Sequence, residues 1–409
     1  MTVFSSSLIW FGAGVSIAEI ITGTYFAPLG FGKGMAAIVI GHVLGCALLF
    51  LTGLIGARTK KTAMETTALS FGKMGAKFFA LLNAAQLLGW TGIMIYDGSL
   101  CANTLINGAK DYSKIAAAAI GLLIVVWILA RARNLDKLNF FAAALLFSLT
   151  LFMCVKIFSS LFAGASPVMT GGGAGMTETA GAANEAISFG AALELSLAMP
   201  LSWLPVISDY TKDAQKPAPV SFAGALVYFF VSVWMYAIGM GAAILTGDGA
   251  IDSVMLKAGL GAAGLVIVVL STVTTTYLDA YSAGVSGKSV FSKTNVRATG
   301  IAVAVLGTAG AILFNMDNIT DFLYLIGSVF APMTAVLLAD FFAAKNDSSQ
   351  KKIDAPRLVV WLLGFAIYRL FMRFDFAFGA SLPAMAATFV LALAVQAATA
   401  RSRRNSSNL

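Results

Sequence analysis

Four carboxylates stand inside stretches of otherwise apolar sequence: Glu19, Asp97, Glu194 and Asp279. A carboxylate is costly at the centre of a bilayer unless it faces a cavity or a partner. Each therefore marks either a polar or proton-carrying site, or a structural hydrogen bond to a neighbouring helix. The stretch LIWFGAGVSIAEIITGTYF, residues 8–26, adds a second signal, with Gly12, Gly14 and Ser16 just ahead of Glu19. The stretch LELSLAMPLSWLPVISDY, residues 193–210, carries Pro200 and Pro205. Proline removes a backbone donor and clashes with the carbonyl four residues back. In lipid, backbone groups freed in this way must be satisfied by protein or by a water-filled cavity. Two interrupted spans in corresponding positions of the two halves point to a transporter site at the membrane midplane. The competing explanation is that Gly and Pro are simply common in membrane helices. The single histidine, His42, is either a packed polar side chain or part of a proton relay.

The elements that must position these residues follow from composition. The chain has 409 residues, 59% hydrophobic and 11% charged, with a mean hydropathy of +0.86. This excludes an ordinary soluble domain. A span needs about 20 apolar residues. Twelve such stretches are expected, at 7–29, 34–57, 75–104, 113–131, 138–162, 186–207, 218–245, 260–284, 298–315, 320–341, 355–374 and 380–400. The fold class is therefore all-α integral membrane. The N-terminus lacks a basic n-region, and its apolar segment is too long for a cleaved signal peptide. Cys46, Cys101 and Cys154 read as buried apolar residues within spans.

The net charge of +8 is a topology signal rather than a nucleic-acid surface. Most of the Lys and Arg residues fall in loops after even-numbered spans and in the C-terminal tail. The positive-inside rule then places both termini in the cytoplasm. The longest segment between spans, 163–185, is rich in Gly, Ala and Thr and reads as an outside loop. No nucleophile elbow, zinc spacing or nucleotide motif is present, which argues against an enzyme. No repeated pore loop is present, which argues against a channel.

Three motifs then converge. SDYTKDA (208–214) follows the broken sixth span, QLLGWTG (86–92) lies in the third, and STVTTTYLDAYSAG (271–284) lies in the eighth. Together they resemble the signatures of the nucleobase:cation symporter-1 family, which carries cytosine, allantoin, hydantoins and related heterocycles. Within that family the chain is most similar to bacterial hydroxymethylpyrimidine transporters and to cytosine-permease-like proteins.

The resemblance implies a LeuT-type fold with two inverted five-span repeats, over 7–162 and 186–341, and broken spans 1 and 6. The transport core would be 1–345, with accessory spans and a basic tail over 346–409. It implies no cofactor beyond a coupling ion, sodium or else a proton. The sodium ligands would be carbonyls of Gly12, Val15 and Ser271 and hydroxyls of Thr274 and Thr275, a set suited to a hard cation. Threonines in membrane helices also commonly bond back to their own helix. Gly12 and Gly14 would let the first span unwind at the midplane.

Trp90 would stack on the substrate ring, with Gln86 four residues earlier on the same helix face. Ser16, Met199, Ser202 and Ser271 complete the expected substrate set. Two departures stand out: Pro200 occupies the usual aromatic position and Ser271 that of an asparagine. Trp203 either supplies the second ring face or packs on a neighbouring helix. Glu19 either accepts from an aminopyrimidine edge or carries a proton. The tenth span, with Gly327 and Pro332, is either an outer gate or merely kinked. The implied partners are a small heterocycle and the lipid bilayer, with no nucleic acid; the expected form is a monomer in the bacterial inner membrane.

Overall fold

The computed structural model describes residues 1–106, 111–130, 135–162, 187–247 and 261–406, and among these it contains helices and no strand. The expected outside loop 163–185 lies beyond the described residues. The helices run in the order α1 Val3–Gly14, α2 Ile17–Thr24, α3 Phe31–Thr59, α4 Ala63–Ile106, α5 Ser113–Ala130, α6 Leu135–Phe162, α7 Phe189–Ser202 and α8 Ile207–Thr211. They continue with α9 Pro217–Thr246, α10 Gly261–Val290, α11 Val296–Leu313, α12 Ile319–Leu338, α13 Ala355–Phe371 and α14 Ser381–Ser406. A π-helical turn, Ala339–Ala344, extends α12. By length and apolar composition, eight described helices can each cross a membrane, and the bent pair Val3–Gly14 with Ile17–Leu29 makes nine. The expected stretches 138–162 and 186–207 fall on shorter apolar helices, Ala144–Ser159 and Phe189–Ser202.

The first span is broken by 50° between α1 and α2. The break lies at Val15 and Ser16, whose backbones leave the helical region, and not at Gly12 or Gly14, which remain helical. The reason is local. Ser16 caps α2, its side-chain oxygen accepting from the Ala18 N–H at 3.2 Å, and so satisfies a donor that the new helix start leaves free. Gly14 serves packing instead, because a Cβ there would meet the Val231 side chain at 2.9 Å. The second break follows α7. Pro200 is accommodated in the last turn of α7, and the chain unwinds at Trp203–Val206 before α8. Asn83 of α4 reaches this turn, its amide donating to the Pro205 carbonyl at 3.1 Å.

Helix contacts separate two groups. The α1–α2 pair packs on α9, and α3 packs on α7, α8 and α9. Opposite them, α4, α5, α10 and α11 pack on one another. The α2–α9 contact is backbone to backbone: a Cβ on Gly23 would overlap the main chain of Tyr236, and one on Gly239 would overlap that of Ile20. Small residues let membrane helices approach this closely, which is how close packing replaces the hydrophobic effect in lipid. α12 touches both groups through α7 and α4, and α13 and α14 pack on α12.

Arg357 of α13 is buried. Its guanidinium donates to both oxygens of Asp340, at 3.0 and 2.5 Å, to the Ala392 carbonyl at 2.9 Å and to Gln396 at 2.9 Å. The pair joins the end of α12 to α13 and α14. Removing one partner of a buried pair leaves the other charge uncompensated and costs about 3–5 kcal/mol. Arg357→Ala is therefore expected to lower the unfolding temperature in detergent sharply. Lys351→Ala, which breaks the Lys351–Asp354 pair at 2.7 Å, removes an exposed lysine and leaves the buried Asp354 its bonds from Ser348 and the Arg357 N–H, so it should cost no more than about 1 kcal/mol. Equal losses in the two variants would refute this ranking.

Candidate functional site

A narrow cleft lies between the two helix groups, at the level of both breaks. The first break contributes Ala13, Ser16, Ala18 and Glu19, and the end of α7 contributes Met199, Ser202 and Trp203. The facing group contributes Leu87, Trp90 and Met94 of α4 and Thr275 and Asp279 of α10. The spacings 87, 90, 94 and 275, 279 are those of one helix face.

Trp90 is 7% exposed and lines the cleft, held edge-on by Phe322 of α12 with centroids 5.4 Å apart and planes at 79°. Trp203 does two things at once. It lines the cleft, and it packs edge-on against Trp10 at 5.6 Å while its indole N–H donates to the Tyr228 hydroxyl at 3.1 Å. Ser16 donates to the Met94 sulfur at 3.7 Å, and Ser202 donates to the Met199 carbonyl at 2.7 Å.

Glu19 is 1% exposed and has no cationic partner among the described residues. Its two oxygens accept from Tyr228 and Ser232 of α9, each at 2.6 Å. Asp279 faces the same cleft and makes no side-chain hydrogen bond to a described residue. The cleft thus presents one aromatic face and two carboxylates from facing helix groups. Such a lining suits the face of a flat ring and attracts positive charge or N–H donors.

Other expected site residues are placed differently. Gln86 is not on the cleft wall; its amide donates to Asn83 at 2.7 Å, in the network that holds the second break. It shares a helix face with Trp90 in sequence, but that face continues below the cleft into packed protein, and Met94, one turn the other way, lines the wall instead. Ser271 is buried outside the cleft, its hydroxyl donating to the Val268 carbonyl at 3.1 Å. Thr274 bonds back to Leu270 and Ser271 of its own helix, at 2.9 and 3.1 Å. Thr275 instead reaches across to the Gly12 carbonyl at 3.3 Å. Val15 sits at the break with its N–H donating to the Phe11 carbonyl at 3.0 Å.

Glu194 lies away from the cleft. It accepts from Tyr368 at 2.7 Å, from the Ser381 N–H at 2.8 Å and from the Ser381 hydroxyl at 2.5 Å, which ties α7 to the start of α14. Asp97 is half-buried on α4 beyond the cleft. Tyr228 and Ser232 were not singled out in the sequence. Two hydroxyls one turn apart on the apolar α9 were the signal that could have found them.

A family profile described as "Permease for cytosine/purines, uracil, thiamine, allantoin" matches residues 2–395. The chain belongs to this family. It is a membrane permease and not an enzyme. No curated protein sequence matches it. Mhp1, a nucleobase-cation-symport-1 family transporter, in a closed conformation with bromovinylhydantoin bound, is 19% identical to this permease. The TM-score is 0.74, over 98% of this chain and 93% of that one. The inward-facing conformation of Mhp1 gives 18% identity and a TM-score of 0.76 over 98% and 91%. A Na+-coupled sialic acid symporter, substrate-bound and outward-open, gives 14% and 0.67 over 97% and 90%. At these identities the likeness speaks for the fold, and the all-helical LeuT-type class expected from the sequence is the one observed.

Tyr228 is the link between Trp203 and Glu19 in this permease. Tyr228→Phe keeps the ring and leaves both the indole N–H and one carboxylate oxygen without a partner. A buried polar group left unsatisfied costs about 1–3 kcal/mol. The variant is expected to unfold at lower temperature in detergent. Unchanged stability would show that water replaces the hydroxyl.

Proposed function

We propose that this permease imports a pyrimidine-like heterocycle, hydroxymethylpyrimidine foremost, by sodium-coupled alternating access. The observation that carries the reading is the placement of Trp90 and Glu19 on facing helix groups around one cleft. The Trp90 face takes the ring. The Glu19 carboxylate accepts from the exocyclic amine, and from a ring nitrogen when that is protonated; charge-assisted bonds of this kind are about twice as strong as neutral ones. Met199, Ser202 and Trp203 close the wall from the second break, and Ser16 from the first.

Sodium is assigned to the first break, between the Gly12 carbonyl and the Thr275 hydroxyl, which already meet at 3.3 Å, with the carbonyls of Val15 and Ser271 as its further ligands. All are oxygen donors, as a hard cation requires. A cation there would draw α1 and α10 together and order the cleft. The two helix groups would then rock about it, with α12, through Phe322 on Trp90, as the outer gate. Residues 1–345 form the transport core in this reading, and 346–409 are accessory. Both termini are cytoplasmic, the protein works as a monomer, and the membrane is the bacterial inner membrane.

Purified protein in proteoliposomes tests the assignment. Labelled hydroxymethylpyrimidine should exchange in counterflow, and Trp90→Ala should weaken it. Stacking of a base on an aromatic ring is worth about 1–3 kcal/mol, or roughly ten- to hundredfold in affinity. Trp90→Phe should retain part of the affinity. Transport by Trp90→Ala with unchanged apparent affinity would mean that Trp90 only packs.

The two neighbouring threonines separate in the same assay. Thr275→Ala should raise the sodium concentration for half-maximal uptake, and Thr274→Ala much less, since its hydroxyl is already engaged with its own helix. Linkage requires sodium and substrate to tighten each other by one factor. Uptake indifferent to sodium but abolished by a protonophore would reject sodium coupling.

A further inference from the structure

His42 of α3 lies behind Glu19, fully buried. Its Nε2 is 2.5 Å from the Ser232 hydroxyl, which in turn is 2.6 Å from Glu19 Oε2. Its Nδ1 is 2.8 Å from the Ser196 hydroxyl of α7 and 3.0 Å from the Ile38 carbonyl. Ser196 is also 2.7 Å from that carbonyl. A continuous hydrogen-bonded chain therefore runs from the cleft wall through α9 and α3 to α7.

The direction of the donors is fixed at one end. The Trp203 indole can only donate, so the Tyr228 oxygen accepts from it and the Tyr228 hydroxyl proton points to Glu19 Oε1. Only the Oε2 side is free to change, and two arrangements satisfy every group. With Glu19 ionised, Ser232 donates to Oε2, His42 donates to Ser232 from Nε2–H, and Ser196 donates to the bare Nδ1. With one proton added, Oε2–H donates to Ser232, Ser232 donates to Nε2, and Nδ1 carries the hydrogen. Ser196 then turns its hydroxyl to the Ile38 carbonyl and accepts from Nδ1–H. An imidazolium with an ionised Glu19 fits the same set of distances. No polar group among Glu19, Ser232, His42 and Ser196 is orphaned in any of these states, so adding the proton carries no such penalty.

Charge supplies the reason for that proton to bind. The groups facing Glu19 are Tyr228, Ser232 and Tyr236 from α9, His42 and Cys46 from α3, and Asp279 across the cleft on α10. From α4 and α7 the cleft receives only Leu87, Trp90, Met94, Met199, Ser202 and Trp203. None brings a fixed positive charge. A buried carboxylate without compensation is unstable.

We propose that Glu19, Ser232, His42 and Ser196 form a binding site for one exchangeable proton behind the cleft, with His42 changing tautomer or charge as the proton enters and leaves. A cation or a protonated ring nitrogen reaching the open side of Glu19 supplies the same compensation and expels the proton. The site goes beyond the transport reading and does not depend on which substrate or metal ion the cleft takes.

His42 is the only histidine in the chain, so nitrogen NMR of histidine-labelled protein in nanodiscs reports this ring alone. Without substrate or sodium, both ring nitrogens should shift together in one single-proton transition between about pH 5 and 9. Glu19→Gln should abolish the transition or displace it by more than about one pH unit, a tenfold change in proton affinity. Ser232→Ala, which cuts the chain while leaving both end groups, should do the same. Ring signals that stay constant over that range in the unaltered protein would overturn the proposal. So would a transition unchanged in both variants, because His42 would then titrate alone.

Discussion

Inside a bilayer no water is available to a backbone group that its own helix has abandoned. This constraint organises the molecule. Two helices must be interrupted to open a cleft at the middle of the protein, and each interruption is sealed by a particular side chain. At the first break Ser16 caps the helix that restarts. At the second, Asn83 from a helix of the facing group reaches the Pro205 carbonyl. The second repair crosses between the two helix groups, so the same contact that satisfies the backbone also ties the groups together below the cleft.

The buried acids sort themselves by what answers them. Asp340 is met by a guanidinium, Glu194 by Tyr368 of α13 and by the N–H and hydroxyl of Ser381 at the start of α14, and both serve the attachment of α13 and α14 to the rest of the protein. Glu19 is met only by hydroxyls, and Asp279 by no described residue. Glu19 and Asp279 share the cleft, and neither has a cationic partner among the described residues. A buried acid left short of compensation attracts whatever positive charge arrives.

The cleft is also where the close helix packing matters most. The α2–α9 approach at Gly23 and Gly239 brings Tyr228 and Ser232 within reach of Glu19. A wider spacing would leave the carboxylate to the cleft alone. α12 connects this region to the periphery, with Phe322 on Trp90 at one end and the Asp340–Arg357 pair at the other. The Asp340–Arg357 pair thus ties the end of α12 to α13.

The sequence by itself determined the all-helical membrane class, the approximate reach of the spans, the two breaks and the presence of Trp90, Glu19, Thr275 and Asp279 near them. These follow from local properties: apolar length, proline and glycine punctuation, and the rarity of acids in apolar stretches. Tertiary structure decided what local pattern cannot express. Gln86 and Trp90 share a helix face, yet only Trp90 meets the cleft, because a cavity ends where neighbouring helices close it. Thr274 and Thr275 are adjacent and chemically alike, yet only one crosses to Gly12, because a helix turns by about 100° per residue. Glu19 and Glu194 look equivalent in sequence, each at a broken span, and differ entirely in their partners. His42 acquires its hydrogen-bond partners only because residues 154 and 190 positions away, Ser196 and Ser232, are folded against it; hydrogen bonds between distant segments leave no periodic trace in either one.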